Sequence, residues 1–174
     1  MAEFRVGQKV VYPNYGVTMV ERIESTDWEG AKQDCFHLRL LSNNAQIMVP
    51  LSNADLVGLR PLNTKKQIDQ LFRTLEDGDI DTYKDWKGRY KQNLEKMRTG
   101  RLMEVARVLK NLRLVSERKS LSFREKKMYE RAKHFIVSEI AHVREISEAR
   151  AQREVDAALD SSIEKRQKAK AAAS

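Results

Sequence analysis

The chain has 174 residues and a mass of 20.2 kDa, room for one average domain or two small ones. It contains no apolar run of the roughly 18 residues that a transmembrane helix needs, the first nine residues (MAEFRVGQK) lack the order of a secretory signal, and a single cysteine, Cys35, excludes an internal disulfide. With 33% charged and 41% hydrophobic residues, seven Gly and three Pro, the composition describes a folded, helix-rich protein better than a disordered one, and the chain is read as soluble, cytoplasmic and without a cofactor.

The net charge of +8 is unevenly placed. Residues 1–62 hold six Lys/Arg against seven Asp/Glu, whereas residues 63–174 hold 27 against 18, and the stretch from Lys84 to Lys133 alone holds 17 against six. The two parts therefore face different partners, and the basic stretch is the electrostatic footprint to explain.

In chain order, Lys9-Val10-Val11-Tyr12 reads as a strand running into the turn Pro13-Asn14-Tyr15-Gly16, and Val17 to Glu24, dense in β-branched residues, reads as a second. A turn near Glu29-Gly30 leads to a third, Cys35 to Leu40, in which Phe36, Leu38 and Leu40 alternate with more polar residues. Ser42 to Ala45 turns the chain into Gln46-Ile47-Met48-Val49-Pro50, and Leu56-Val57-Gly58-Leu59 offers a last short strand. This pattern predicts a small SH3- or Tudor-like barrel over residues 1–62.

After Arg60-Pro61-Leu62-Asn63 the period changes to that of helices, with no Gly/Ser- or Pro-rich linker between. Thr64 with Gln67 forms a capping box ahead of Ile68, Leu71, Phe72 and Leu75, and Gly78 stops the run. Asp85 is placed to cap a second helix with Tyr90, Leu94 and Met97 on one stripe, ended by Gly100; a third carries Leu102, Val105, Ala106, Leu109 and Leu112. Ser122 and Glu125 make a second capping box, opening a helix with Met128, Ala132, Phe135, Ile136, Ile140 and Val143 inward. Ala149 to Ala171 reads as an alanine-rich fifth helix frayed at its end. The predicted architecture is two domains, mainly α with a small all-β N-terminal domain: the barrel at 1–62 and a compact five-helix bundle at 63–174.

Catalytic and metal motifs are missing. Asp77-Gly78-Asp79-Ile80-Asp81 opens like a calcium loop, but Thr82 stands where that loop needs Gly and Gly88 where it needs Glu. His37, His134 and His142 are too scattered to join Cys35 in a zinc site, and there is no Walker A loop, GxGxxG or GxSxG. The reading is a non-enzymatic protein. The long helix from Phe123 could serve as a coiled-coil strand, although its apolar positions are used as readily inside the bundle.

One constellation stands out. Trp86 begins a helix beside Gly88 and among Lys84, Lys87, Arg89 and Lys91, where cations can neutralise phosphates while a flat apolar ring stacks on a base or wedges into an opened step. Trp86 equally fits a core position, one turn before Tyr90 and two before Leu94, and spacing alone does not separate the two.

Phe4-Arg5-Val6-Gly7-Gln8-Lys9-Val10-Val11-Tyr12-Pro13, the later Val49-Pro50 and Val57-Gly58-Leu59-Arg60, Trp86 with Arg89-Tyr90-Lys91 and Leu94-Glu95-Lys96, and Leu121-Ser122-Phe123 with Glu125-Lys126, in this order and spacing, resemble the CarD/CdnL transcription regulators of bacteria. The resemblance weakens after about residue 148.

It implies a Tudor-like N-terminal domain, shared with the transcription-repair coupling factor, that docks on the RNA polymerase β subunit. It also implies a helical domain that meets promoter DNA, largely without sequence preference, at the upstream edge of the −10 element, where the family's Trp wedges into the minor groove. By resemblance Trp86 takes that role, with Arg89 and Lys91 contacting the DNA backbone and Lys87 a neighbour by location; Gly88 stands where some relatives have Arg. On the polymerase side, Thr26 and Met48 occupy positions that carry Arg in some members, so the expected contact is apolar, centred on Met48, Val49 and Pro50, with Trp28 beside Thr26. A monomer that does not bind membranes is expected, associated with the nucleoid through polymerase. An RNA-binding or ribosome-associated protein and a helical adaptor are the alternatives.

Overall fold

The structure is a computed structural model and describes residues 3–79 and 86–174, with the backbone alone for Trp86. The expected Asp85 cap and residues 80–84 of the calcium-like run and its basic neighbour lie outside the described residues. The chain divides into two compact units, residues 1–62 and 63–174.

The first unit is an antiparallel sheet in the order β4-β3-β2-β1-β5, built from β1 (Lys9–Tyr12), β2 (Gly16–Trp28), β3 (Ala31–Leu40), β4 (Gln46–Pro50) and β5 (Arg60–Pro61). A two-residue turn, Glu29-Gly30, joins β2 to β3 with both residues at positive φ (50° and 83°), as the right-handed twist of a hairpin demands. One sheet face packs Val10, Val20, Phe36, Leu38 and Val49 against Phe4, Ala54 and Leu59, with the Phe4 and Phe36 rings edge to face at 5.8 Å. The strand expected at Leu56–Leu59 is not formed: residues 56–58 are a turn, Leu59 packs into the core, and the last strand is only Arg60–Pro61. Gly58 sits there at φ 79° with Pro13 Cγ only 3.2 Å from where a Cβ would stand, so the apolar letters around it mark a close turn.

A bulge in β2 decides which residues share a face. Val20 pairs with Leu38, but Arg22 pairs with His37, leaving Glu21 as the extra residue. The shift reverses the alternation of the strand, so Arg22, Glu24, Thr26 and Trp28 lie on the face away from Phe36 and Leu38.

The second unit holds α1 (Lys65–Glu76), α2 (Trp86–Arg98), α3 (Leu102–Ser116), α4 (Phe123–Arg144) and α5 (Glu148–Ala173). Both predicted capping boxes are present, Thr64 with Gln67 and Ser122 with Glu125. Helix α3 is the hub, in contact with the other four helices, and is accordingly buried on most sides, including at Lys110 and Asn111. Ile68, Leu71, Leu75, Leu109, Leu112, Ile136, Ile140 and Val155 form the centre of one continuous core, so the apolar stripe of α4 is used inside the bundle. Polar ties close it: Glu139, buried, accepts from the backbone and side-chain nitrogens of Asn63 at 2.9 and 2.6 Å, and Arg144 bridges Asp69 of α1 and Glu154 of α5 while stacking on Phe72. No described helix is long and apolar enough to cross a membrane.

Candidate functional site

In the first unit, the sheet face that carries Thr26 and Trp28 also carries Met48. Arg22, His37 and Met48 lie in one row across β2, β3 and β4, beside a hollow of about 280 Å³ that they line with Gln46 and Ile47. His37 is the hinge of the row: Nδ1 lies 3.2 Å from Arg22 Nη2, and Nε2 lies 3.2 Å from Thr26 Oγ1 and 3.5 Å from Glu24 Oε1. The Arg22 guanidinium also donates to Glu24 at 2.9 Å. Thr26 is thus linked through His37 to the row that holds Met48.

The other two expected contact residues on β4 are placed differently. Val49 pairs with Phe36 and is 3% exposed, so it belongs to the core, and Pro50 is buried beside Cys35. Of Met48, Val49 and Pro50, only Met48 presents surface. The apolar run Ile47-Met48-Val49-Pro50 does not reveal this, because a strand buries alternate residues and all four are apolar. Arg22 and His37 are the residues that sequence reasoning missed on this face; Arg22 reaches it only through the bulge at Glu21, and His37 only through the pairing of β3 with β4.

In the second unit, α2 and α4 meet at their first turns. Arg89, one turn after Trp86, donates Nε–H to Glu125 Oε2 at 2.9 Å, and the two side chains are only 11% and 4% exposed. Glu125 also closes the capping box of α4: its Oε1 accepts from the Ser122 backbone at 3.4 Å and its own N–H donates to Ser122 Oγ at 3.2 Å. Burial works against charge on Glu125, but the Arg89 hydrogen bond, the Ser122 backbone N–H and the Arg89 charge together outweigh it and hold the carboxyl below its ordinary 4.5. Arg89, expected at the DNA backbone, is therefore turned inward onto a carboxylate.

Around this junction lie cations that are exposed and have no carboxylate partner among the described residues: Lys87 and Lys91 on α2, Arg124 and Lys127 on α4. Arg124 lies over the Tyr90 ring at 5.9 Å, and Lys127 over the ring of Phe123 at 4.5 Å. Phe123 is itself 71% exposed, a large aromatic with no core role at the mouth of a helix. It was legible as an aromatic directly after the Ser122 cap among Arg124, Lys126 and Lys127, and Arg124 and Lys127 become neighbours of the α2 start only because Arg89 and Glu125 join the helices. Such an end, aromatic and cationic with its acidic residue neutralised inside, can bind a polyanion and offer a flat apolar group to it.

Comparison with known proteins divides the chain in the same order. Residues 4–63 match the family model of the CarD-like/TRCF RID domain, and residues 70–156 match that of the CarD C-terminal domain. A relative from Bacillus subtilis (strain 168), "Putative transcription factor YdeB", is 31% identical over 145 residues, covering 83% of this chain and 95% of its own length.

Proposed function

The chain belongs to the CarD family of transcription factors, and on that premise we propose that it tethers itself to the RNA polymerase β subunit through residues 1–62 and stabilises the open promoter complex through residues 63–174, with Trp86 as the wedge at the upstream edge of the bubble. The observation that carries the reading is the pairing of a polymerase-interaction type of domain, near neutral in charge, with a basic helical domain whose exposed cations flank the helix that Trp86 begins.

Physically, opening a promoter requires unstacking and melting, and collapse begins where the upstream fork can re-zip. A ring occupying that fork lowers the free energy of the open complex and slows collapse. Unstacking a step costs a few kcal/mol, which a melted fork has already lost, so a wedge selects open DNA. Lys87 and Lys91 supply phosphate contacts that carry no sequence information. A few such contacts bind duplex weakly, and tethering to polymerase supplies the effective concentration that makes them count. On the polymerase side, Met48 is the apolar contact, with Thr26 and Trp28 on the same sheet face and Arg22, His37 and Glu24 as the polar surround.

The test is the lifetime of open complexes formed by bacterial polymerase holoenzyme in the presence of competitor DNA, with no factor, with this protein and with Trp86→Ala. The expected result is a lengthening that the variant loses while still binding polymerase. No lengthening by the folded wild-type protein overturns the reading, and tight RNA binding without polymerase would put an RNA- or ribosome-associated role in its place.

A further inference from the structure

We propose that Arg89 is a positioning residue, anchored by Glu125, that sets the direction in which α2 presents its first turn, and that it contributes no phosphate contact of its own. This rests on the reading that the start of α2 meets DNA.

Three observations carry it. The guanidinium is enclosed and its one hydrogen bond among the described residues goes to a carboxylate that is 4% exposed. For the guanidinium to swing out to a phosphate, that carboxylate would lose its counter-charge in the interior and keep only its Ser122 hydrogen bond, which costs more than one solvent-screened phosphate contact returns. Second, Glu125 is not a passive acceptor: as the third residue of α4's capping box it is held by Ser122, so its position is that of the α4 N-terminus itself. Arg89 lies three residues after Trp86, so pinning it to Glu125 fixes the azimuth of the first turn of α2.

Third, the buried side of α2 packs Leu94 and Met97 against the core but is poor in other polar holds among the described residues. Among the described residues, Arg89 Nη2 and both amide atoms of Asn93, one turn further on and fully buried, have no hydrogen-bond partner. An interior polar strip with so few partners among the described residues is a cost, which makes the Nε–Oε2 bond a polar contact that orients this part of the helix.

Glu125→Gln separates the alternatives by sign. If Arg89 were a phosphate ligand restrained by Glu125, weakening the restraint would free it, and Glu125→Gln would bind a fork-junction promoter duplex more tightly, with a steeper dependence of log K on log salt. If Arg89 positions α2, Glu125→Gln and Arg89→Gln both shorten the open-complex lifetime and weaken fork binding while the salt slope stays that of wild type. Lys91→Gln, a surface phosphate contact, makes the slope shallower by about 0.9 and serves as the internal standard.

Should a single variant be unfolded at the assay temperature by circular dichroism, Arg89→Met/Glu125→Met, which removes both charges together, decides on slope. A wild-type slope supports positioning, and a slope shallower by about 0.9 overturns it. If wild-type protein does not lengthen open complexes, the underlying promoter reading fails first. If it does and Glu125→Gln tightens fork binding, the positioning role alone fails.

Discussion

Ser162 on α5 donates its hydroxyl to the main-chain carbonyl of Asp77 at 2.5 Å, joining the C-terminal half of the last helix to the end of α1 across 85 positions. Asp77 ends α1, and its carboxylate takes Lys110 Nζ from α3, a nearly enclosed ammonium that also donates to the Thr74 carbonyl at 2.9 Å. Gly78 follows in close contact with α5, where a Cβ would lie 3.5 Å from the Arg166 nitrogen. Helix α5 is thus more than an alanine-rich tail, and its tie to Asp77 lies beyond residue 156, where the match to the family model ends.

Ser162→Ala removes a buried donor and leaves a carbonyl with one partner fewer. The expected loss is about 1 kcal/mol, a fall in melting temperature of roughly 3–6 °C. Ending the chain after residue 157 removes Leu159 as well and is expected to cost about 3 kcal/mol or more. Thermal and urea melts followed at 222 nm check both, and a truncated chain as stable as the full one would show that the last helix merely decorates the bundle.

Acid should act on Glu125. Its folded carboxyl lies below the ordinary 4.5, so the carboxylate adds stability above that value and loses it as pH falls through the lower folded one. Wild-type protein is therefore expected to lose melting temperature more steeply below about pH 4.5 than Glu125→Gln, which has no carboxyl to protonate there. Parallel curves would mean that the Arg89 pair adds nothing on folding.

Neighbours on β4 should separate by function. Met48→Glu is expected to weaken binding to the polymerase β subunit at least tenfold, about 1.4 kcal/mol, and to leave both the melting temperature and fork binding unchanged. Val49→Ala should do the opposite, costing about 2 kcal/mol of stability in the first unit with little direct effect on docking, because its side chain packs into the sheet core. Titration of a purified β fragment, with melts in parallel, reads both. If Val49→Ala weakens docking while its stability is untouched, the accessible face has been assigned to the wrong side of β4.

The hub of the bundle should be the least tolerant position. Leu109 is fully buried on α3, and Leu109→Ala is expected to cost about 2–5 kcal/mol, enough to unfold a marginal domain at physiological temperature. A soluble variant with a sharp melt within a few degrees of wild type would contradict that place in the core.

Much of this architecture was legible because its causes are local. The capping boxes at Thr64 and Ser122 need only four residues each, and the stripes of α3 and α4 need only helical spacing, so their existence and inward faces follow from the sequence. Leu56–Leu59 misleads because apolar composition does not separate a short strand from a turn that sends Leu59 into the core and leaves Leu56 exposed.

The division into a near-neutral strand-rich part and a basic helical part, the capping boxes at Thr64 and Ser122, most of the core, and the cations that neighbour Trp86 along the chain all follow from local sequence. The tertiary structure decided what depends on partners distant along the chain. It turned Arg89 onto Glu125, 36 positions away, used the bulge at Glu21 to bring Arg22 and Thr26 to the face of His37 and Met48, and sent Val49 inward. Each of these is set by which side chain lies opposite across a sheet or a helix crossing, and neither propensity nor periodicity within one element carries that information.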